Sequence, residues 1–218
     1  MLFPSLKGKT FGYVNLDLLA QKWLAMHPQT DGAKNPLLDP SITLSMVEDF
    51  HRHTGVTYSY GGWLENRSTL WRGSYLDDGN KYFHLGVDIN APEGTPIASD
   101  VRGTVVRIDD DHPEEYGWGP RVIVRLADEP IALIYGHLDP DIVCHEGDVL
   151  EPGKVFARVG PSSHNGGWFP HTHIQAMTAP MFEQFMRDPS SIDGYAYEKD
   201  LEQVAASFPD PIKFFRME

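Results

Sequence analysis

Hydrophobic and polar positions fall into two textures along the chain. Over residues 1–80 the apolar residues recur at helical spacing. Val14, Leu18, Leu19 and Leu24, with Trp23 beside them, predict a helix over about 14–27. Pro28 and the turn around Gly32 stop it. Asp39 followed by Pro40 reads as an N-cap and a first-turn proline. Leu44, Val47 and Phe50 then give a second amphipathic helix that ends at Gly55. The stretch TYSYGGWLENRSTLWRGSYL that follows is rich in aromatics and glycine and predicts strands and turns.

From 81 to 178 the texture is β. GTPIASDV, GTVVRIDD, RVIVRLAD, IALIYGHL and KVFARVG are short, rich in Val and Ile, and punctuated by Gly, Pro and Asp. Such spacing argues for an antiparallel sandwich or barrel and against alternating strands and helices. The last segment, 179–218, mixes helical patches with prolines and is expected to wrap the core. The expected organisation is thus an N-terminal extension over 1–80, helical and then strand and turn, packed on a β core over 81–178, with a C-terminal tail over 179–218.

Composition narrows the function classes. With 218 residues and 41% hydrophobic content, the chain buries a full core without staples. The formal net charge of -13 sets aside nucleic acid and anionic lipid as partners. The single cysteine, Cys144, excludes an internal disulfide and a four-thiolate zinc site, and reads as an inert buried thiol. No apolar run approaches the roughly 20 residues of a membrane span. The first residues, MLFPSLKGKTFGYVNLDLLA, make a poor signal sequence, so the expected location is cytoplasmic, with export by another route left open. Nothing in the sequence fixes an oligomeric state.

Ten histidines are scattered along the chain, and a few fall into a pattern. His84-Leu85-Gly86-Val87-Asp88 offers an imidazole and a carboxylate, and zinc is well served by two His and one carboxylate with a fourth position for water. His171-Thr172-His173 reads as a strand, where residues two apart point to one face, so one imidazole can bind metal while its neighbour stands beside it. Gln175 continues that face and is placed to bond a ligand's other ring nitrogen. Tyr135-Gly136-His137-Leu138 ends an apolar strand, a good place to present a catalytic side chain. By contrast His51 and His53 lie near a helix end, where residues two apart do not share a face. His27, His112 and His145 read as surface or loop histidines. Arg72 is a candidate for a substrate carboxylate, since Arg presents a rigid fork. Asn165 and Trp168, in the loop Asn165-Gly166-Gly167-Trp168, are candidates for lining a substrate groove. The chain reads as a zinc hydrolase.

The run HLGVD, GTPIASDVRGTVV, YGHL, HEGDVLEPGKVFARVG, PHTHIQ resembles, in this order, the lysostaphin/LytM-type zinc endopeptidases over residues 81–178. The NGGW loop and Arg72-Gly73-Ser74-Tyr75 resemble a less-studied branch of that family. The resemblance implies a mostly β protein whose core is an antiparallel β-sandwich of the duplicated hybrid motif kind, carrying a helical N-terminal extension. It implies one Zn2+ held by His84, Asp88 and His173, with His137 and His171 as catalytic histidines. It also implies a peptide substrate of cell-wall type, cleaved at glycine or D-alanine. Gln175 stands where glutamate is usual. The alternatives are a metal-bearing binding module without turnover, or an intracellular zinc hydrolase of a small non-peptide amide.

Overall fold

The computed structural model describes residues 2–28, 34–77, 80–111 and 117–216. His112, expected in a loop, lies outside them. The first helix, α1 (Leu16–Met26), follows a short strand β1 (Phe11–Tyr13). Asn15 caps α1 by accepting from the Leu18 amide at 2.7 Å. Its inward face differs from the expected one. Leu16, Asp17 and Ala20 are buried while Leu18 is 50% exposed. Asp17 takes the interior position because its Oδ1 accepts from the amides of Thr69 at 2.6 Å and Leu70 at 2.9 Å. The second helix, α2 (Pro40–Thr54), begins at the expected Asp39 cap and ends on Gly55 in the left-handed conformation.

The β elements follow the expected runs. They are β2 (Tyr58–Gly61), β3 (Phe83–His84), β4 (Val87–Asn90), β5 (Pro96–Ala98), β6 (Gly103–Asp111), β7 (Gly119–Leu126), β8 (Ile131–Gly136), β9 (Val149–Leu150), β10 (Val155–Arg158) and β11 (Thr172–Thr178). The C-terminal part adds α3 (Ala179–Arg187), β12 (Tyr195–Ala196) and α4 (Leu201–Ser207). One large sheet runs β1-β2-β4-β11-β8-β7-β6-β9, and β10-β5 and β12-β3 form two-stranded sheets. All pairs are antiparallel except β1 with β2, so the large sheet is mixed.

Period-two alternation divides the sheet's side chains between two cores. Val87, Ile89, Val122, Val124, Leu133, Tyr135, Ile174 and Ala176 pack with Ile97, Phe156 and Ala157 of the β10-β5 pair. That packing is the sandwich. Ile123, Ala132, Ile134 and Met177, on the opposite face, pack with Phe185 of α3 and with Ile192 and Phe208. A third cluster joins α1 and α2 to Leu70, Trp71, Trp168 and Phe169. The N-terminal helices therefore rest on the loop that precedes β11. Among the described residues no helix is long and apolar enough to cross a membrane.

Candidate metal centre

β11 lies between β4 and β8, and its register puts His173 opposite both Asp88 and Gly136. Gly61 of β2 stands opposite Asp88 on the other side. A row of Gly61, Asp88, His173 and Gly136 thus crosses four strands, with two polar side chains between two glycines. At Gly136 a Cβ would sit 3.0 Å from the Trp118 ring. Gly86 clears space of the same kind. A Cβ there would lie 2.4 Å from His173 Nε2, so its glycine is needed for close approach rather than for a turn.

His84 joins the row from β3. The segment before it encircles the ring: His84 Nδ1 lies 3.1 Å from the Gly62 carbonyl, the Leu64 amide donates to the His84 carbonyl, and the His84 amide donates to the Glu65 carbonyl. The side chains of His84, Asp88 and His173 are all buried, and one ligand atom of each lies within 4.8 Å of the others. His84 Nε2 is 2.8 Å from His173 Nδ1 and 3.1 Å from Asp88 Oδ1, and His173 Nδ1 is 3.0 Å from Asp88 Oδ1.

The protons of this triangle point outward. A carbonyl only accepts, so His84 Nδ1 carries the hydrogen and Nε2 holds a lone pair. Burial and the nearby Arg67 push the His84 pKa down to about 3, keeping the ring neutral. His173 Nε2 faces Gln175 Oε1 at 3.1 Å, and Gln175 Nε2 donates to the Asp193 carbonyl at 3.1 Å, which fixes the amide orientation. His173 Nε2 is therefore the protonated nitrogen and Nδ1 faces inward. Burial opposes ionisation of Asp88, yet the Arg67 guanidinium beside it holds its carboxyl well below the usual range. Two ring nitrogens and a carboxylate oxygen converge with no hydrogen between them. A divalent cation resolves that arrangement. The 2.8–3.1 Å edges are close to the roughly 3.3 Å edges of a tetrahedron with zinc bonds near 2.0–2.1 Å. The residues fit zinc.

Two more imidazoles stand beside the triangle. His171 precedes β11; its Nδ1 donates to the Phe169 carbonyl at 2.7 Å and its Nε2 lies 3.7 Å from Asp88 Oδ1. His137 follows β8 with a positive φ of 60°, an uncommon conformation for a residue other than glycine. Its Nδ1 donates to the Asn165 carbonyl at 2.8 Å, and its ring centroid is 4.6 Å from that of His171. Burial lowers the pKa of both rings, and for His137 the neighbouring His171 and His173 lower it further. Both rings are thus neutral with Nε2 unprotonated.

Residues 82–183 match the family described as Peptidase family M23. The catalytic domain of the prophage-encoded M23 protein EnpA from Enterococcus faecalis is 30% identical, with 44% of this chain and 68% of that one covered and a TM-score of 0.38. The chain belongs to peptidase family M23. The catalytic domain of the antimicrobial peptidase lysostaphin from Staphylococcus simulans is 22% identical over 61% of this chain and 79% of that one, with a TM-score of 0.44. LytU is 23% identical over 62% and 81%, with a TM-score of 0.40. Membership of the M23 family supports a peptidase hydrolase.

His84, Asp88, His137, His171 and His173 all lie inside the matched segment; the groove candidates are divided. Trp168 lines a cleft of about 240 Å³ together with His137, His173, Trp118, Tyr75 and Tyr195. Asn165 is fully buried and works from behind: its carbonyl holds His137, its Oδ1 accepts from the Trp168 amide, and its Nδ2 donates to the Gly160 carbonyl. Gly166 lets that loop dock, since a Cβ there would lie 2.2 Å from the Gly117 carbonyl. Arg72 is exposed and does not line this cleft. The other described histidines stay apart. His27, His145 and His164 are exposed, and His51 bonds Ser59 Oγ at 2.8 Å.

Several groups at the centre carry no signal in residue spacing. Arg67 is one of them, 2% exposed, with Nη1 2.5 Å from Asp88 Oδ2 and Nε 3.2 Å from Glu65 Oε1. Trp118 packs its edge against His173 with 5.1 Å between centroids. Tyr195 packs against Trp71 and faces the cleft, and burial keeps its phenol protonated.

Proposed function

We propose that this M23 member is a zinc-dependent endopeptidase or amidase acting on peptidoglycan-type peptides. The observation that carries the reading is the convergence of His84 Nε2, Asp88 Oδ1 and His173 Nδ1 with every ring proton turned away. Zinc bound there supplies Lewis acidity toward the scissile carbonyl and activates water at neutral pH. His84, Asp88 and His173 would hold the ion. His137 and His171 stand beside the same cluster as neutral rings, each with Nε2 left free of its Nδ1 bond to a carbonyl. One of them would accept the attacking water's proton at Nε2, and the imidazolium so formed would stabilise the developing oxyanion and return that proton to the leaving amine. Both are aimed beforehand by their Nδ1 bonds to the Asn165 and Phe169 carbonyls, so no reorientation is needed at the moment of reaction. The aromatic cleft beside His137 accommodates the peptide, with Trp168 on its wall.

The test is a pair of measurements. His84→Ala, Asp88→Ala and His173→Ala are expected to lose bound zinc, measured by elemental analysis after purification in zinc. His137→Ala and His171→Ala are expected to keep zinc while hydrolysis falls by about 10²-fold or more. Turnover is followed by mass spectrometry on cell-wall peptides with glycine or D-alanine bonds. Parent protein that holds zinc but cleaves none of them would favour a binding module instead.

A further inference from the structure

We propose that Arg67 is a positioning residue of the metal centre, and that through Glu65 it ties that centre to the first turn of α1. The inference rests on the zinc reading above. Asp88 divides its two oxygens between two tasks. Oδ1 faces the histidines, while Oδ2 accepts from Arg67 Nη1 at 2.5 Å. With Oδ2 occupied, the carboxylate offers a metal one oxygen in one orientation. The Arg67 guanidinium is fixed in turn, since its Nε donates to Glu65 Oε1 at 3.2 Å and its plane lies over the Trp71 ring at 5.1 Å. Arg suits this place because its planar fork can serve two carboxylates at once, which an ammonium cannot do with the same geometry.

The chain of bonds continues. Glu65 Oε1 also accepts from the amides of Leu16 at 2.9 Å and Asp17 at 3.3 Å, the opening residues of α1. An acidic group at that end also complements the helix dipole. One uninterrupted path therefore runs from the α1 amides through Glu65 and Arg67 to Asp88. Arg67 and Glu65 precede the segment matched to the M23 family, which begins at residue 82. The N-terminal part of this chain thus contributes to holding a group that the family segment supplies.

Two physical effects of Arg67 oppose each other, which makes the test decisive. As a buried cation near a divalent ion, Arg67 weakens metal binding by repulsion. As the clamp on Asp88 Oδ2, it strengthens binding by fixing the ligand, and loss of such an outer partner typically costs about 10- to 100-fold in affinity. We compare Arg67→Met and Arg67→Lys with the parent chain. Zinc affinity is read by chelator competition, ligand geometry by the visible absorption of cobalt(II), and exchange of the Leu16 and Asp17 amides by hydrogen–deuterium NMR. Circular dichroism checks folding.

The expected result for Arg67→Met is a folded protein with zinc affinity lowered about 10- to 100-fold and an altered cobalt spectrum. Arg67→Lys, which keeps the charge without the fork, falls in between. Zinc should raise protection of the two amides in the parent and not in Arg67→Met. Unchanged or tighter zinc binding in Arg67→Met with an unchanged cobalt spectrum overturns the positioning role while leaving the zinc reading intact. A parent chain that binds no zinc overturns both. Should Arg67→Met fail to fold, Glu65→Gln and Arg67→Lys carry the comparison. Normal affinity and amide protection in those two would overturn the proposal.

Discussion

At the scale of single residues, the centre is organised by where hydrogens and Cβ atoms are not. Gly86 is the clearest case. An added methyl would meet His173 Nε2 at 2.4 Å and Cε1 at 2.5 Å. Gly86→Ala is expected to cost about 1–3 kcal/mol of stability through overpacking. It should also weaken zinc binding, because the ring that must move is a proposed ligand. A denaturant midpoint and a zinc titration on the same variant check both halves; normal values for the two would show that the site yields more readily than its packing implies. The sequence singled out the five candidate residues that gather here because HLGVD, YGHL and PHTHIQ each bring a histidine beside strand-forming or turn-forming residues. It did not expose Arg67 or Trp118. Their roles depend on contacts with residues 21 and 55 positions away, and no local period encodes such a contact. Asp17 and Leu18 exchanged expected places for the same reason, since the distant Thr69 and Leu70 amides help to satisfy the buried carboxylate.

At the scale of elements, caps and ion pairs set the local stabilities. Asn15 receives the Leu18 amide at the start of α1, and Asn15→Ala is expected to cost about 1 kcal/mol. For a chain of this size that lowers the thermal midpoint by about 2–4 °C, measurable by calorimetry. The β6–β7 ladder carries Asp109 between two arginines, Arg121 and Arg107. Burial opposes the charge on Asp109, but the hydrogen bonds from Arg121 and Arg107 outweigh it and hold the carboxyl below its ordinary value. A depressed carboxylate pKa adds stability above the unfolded value near 3.9, and that contribution fades as acid titrates the folded group. Asp109→Asn should therefore be less stable than the parent at neutral pH, with the gap closing below about pH 4. A gap that persists at low pH would locate the loss in packing rather than charge. Elements themselves were well foreshadowed: both N-terminal helices and the five long apolar runs appear as strands or helices where expected. Pairing was less so. The parallel β1–β2 contact that makes the large sheet mixed has no signature in either short strand.

At the scale of the whole molecule, the centre draws on both the M23 segment and the residues before it. Ligand binding to the folded state alone should stabilise it, by about 2.7 kcal/mol at 100 times the dissociation constant. Zinc is thus expected to raise the melting temperature by about 5–11 °C, and a chelator to reverse the rise. A melting curve indifferent to both would mean the three donors hold no ion in solution. The central position of β11 has a further consequence for biogenesis. β4 and β8 emerge from the ribosome long before the strand that must lie between them, and His173 follows Asp88 by 85 positions. Until that strand is synthesised, the nascent polypeptide exposes two unpaired edges and owns only part of a chelating set. An ion that needs His84, Asp88 and His173 together would therefore be captured only after the last of these three donors has been synthesised.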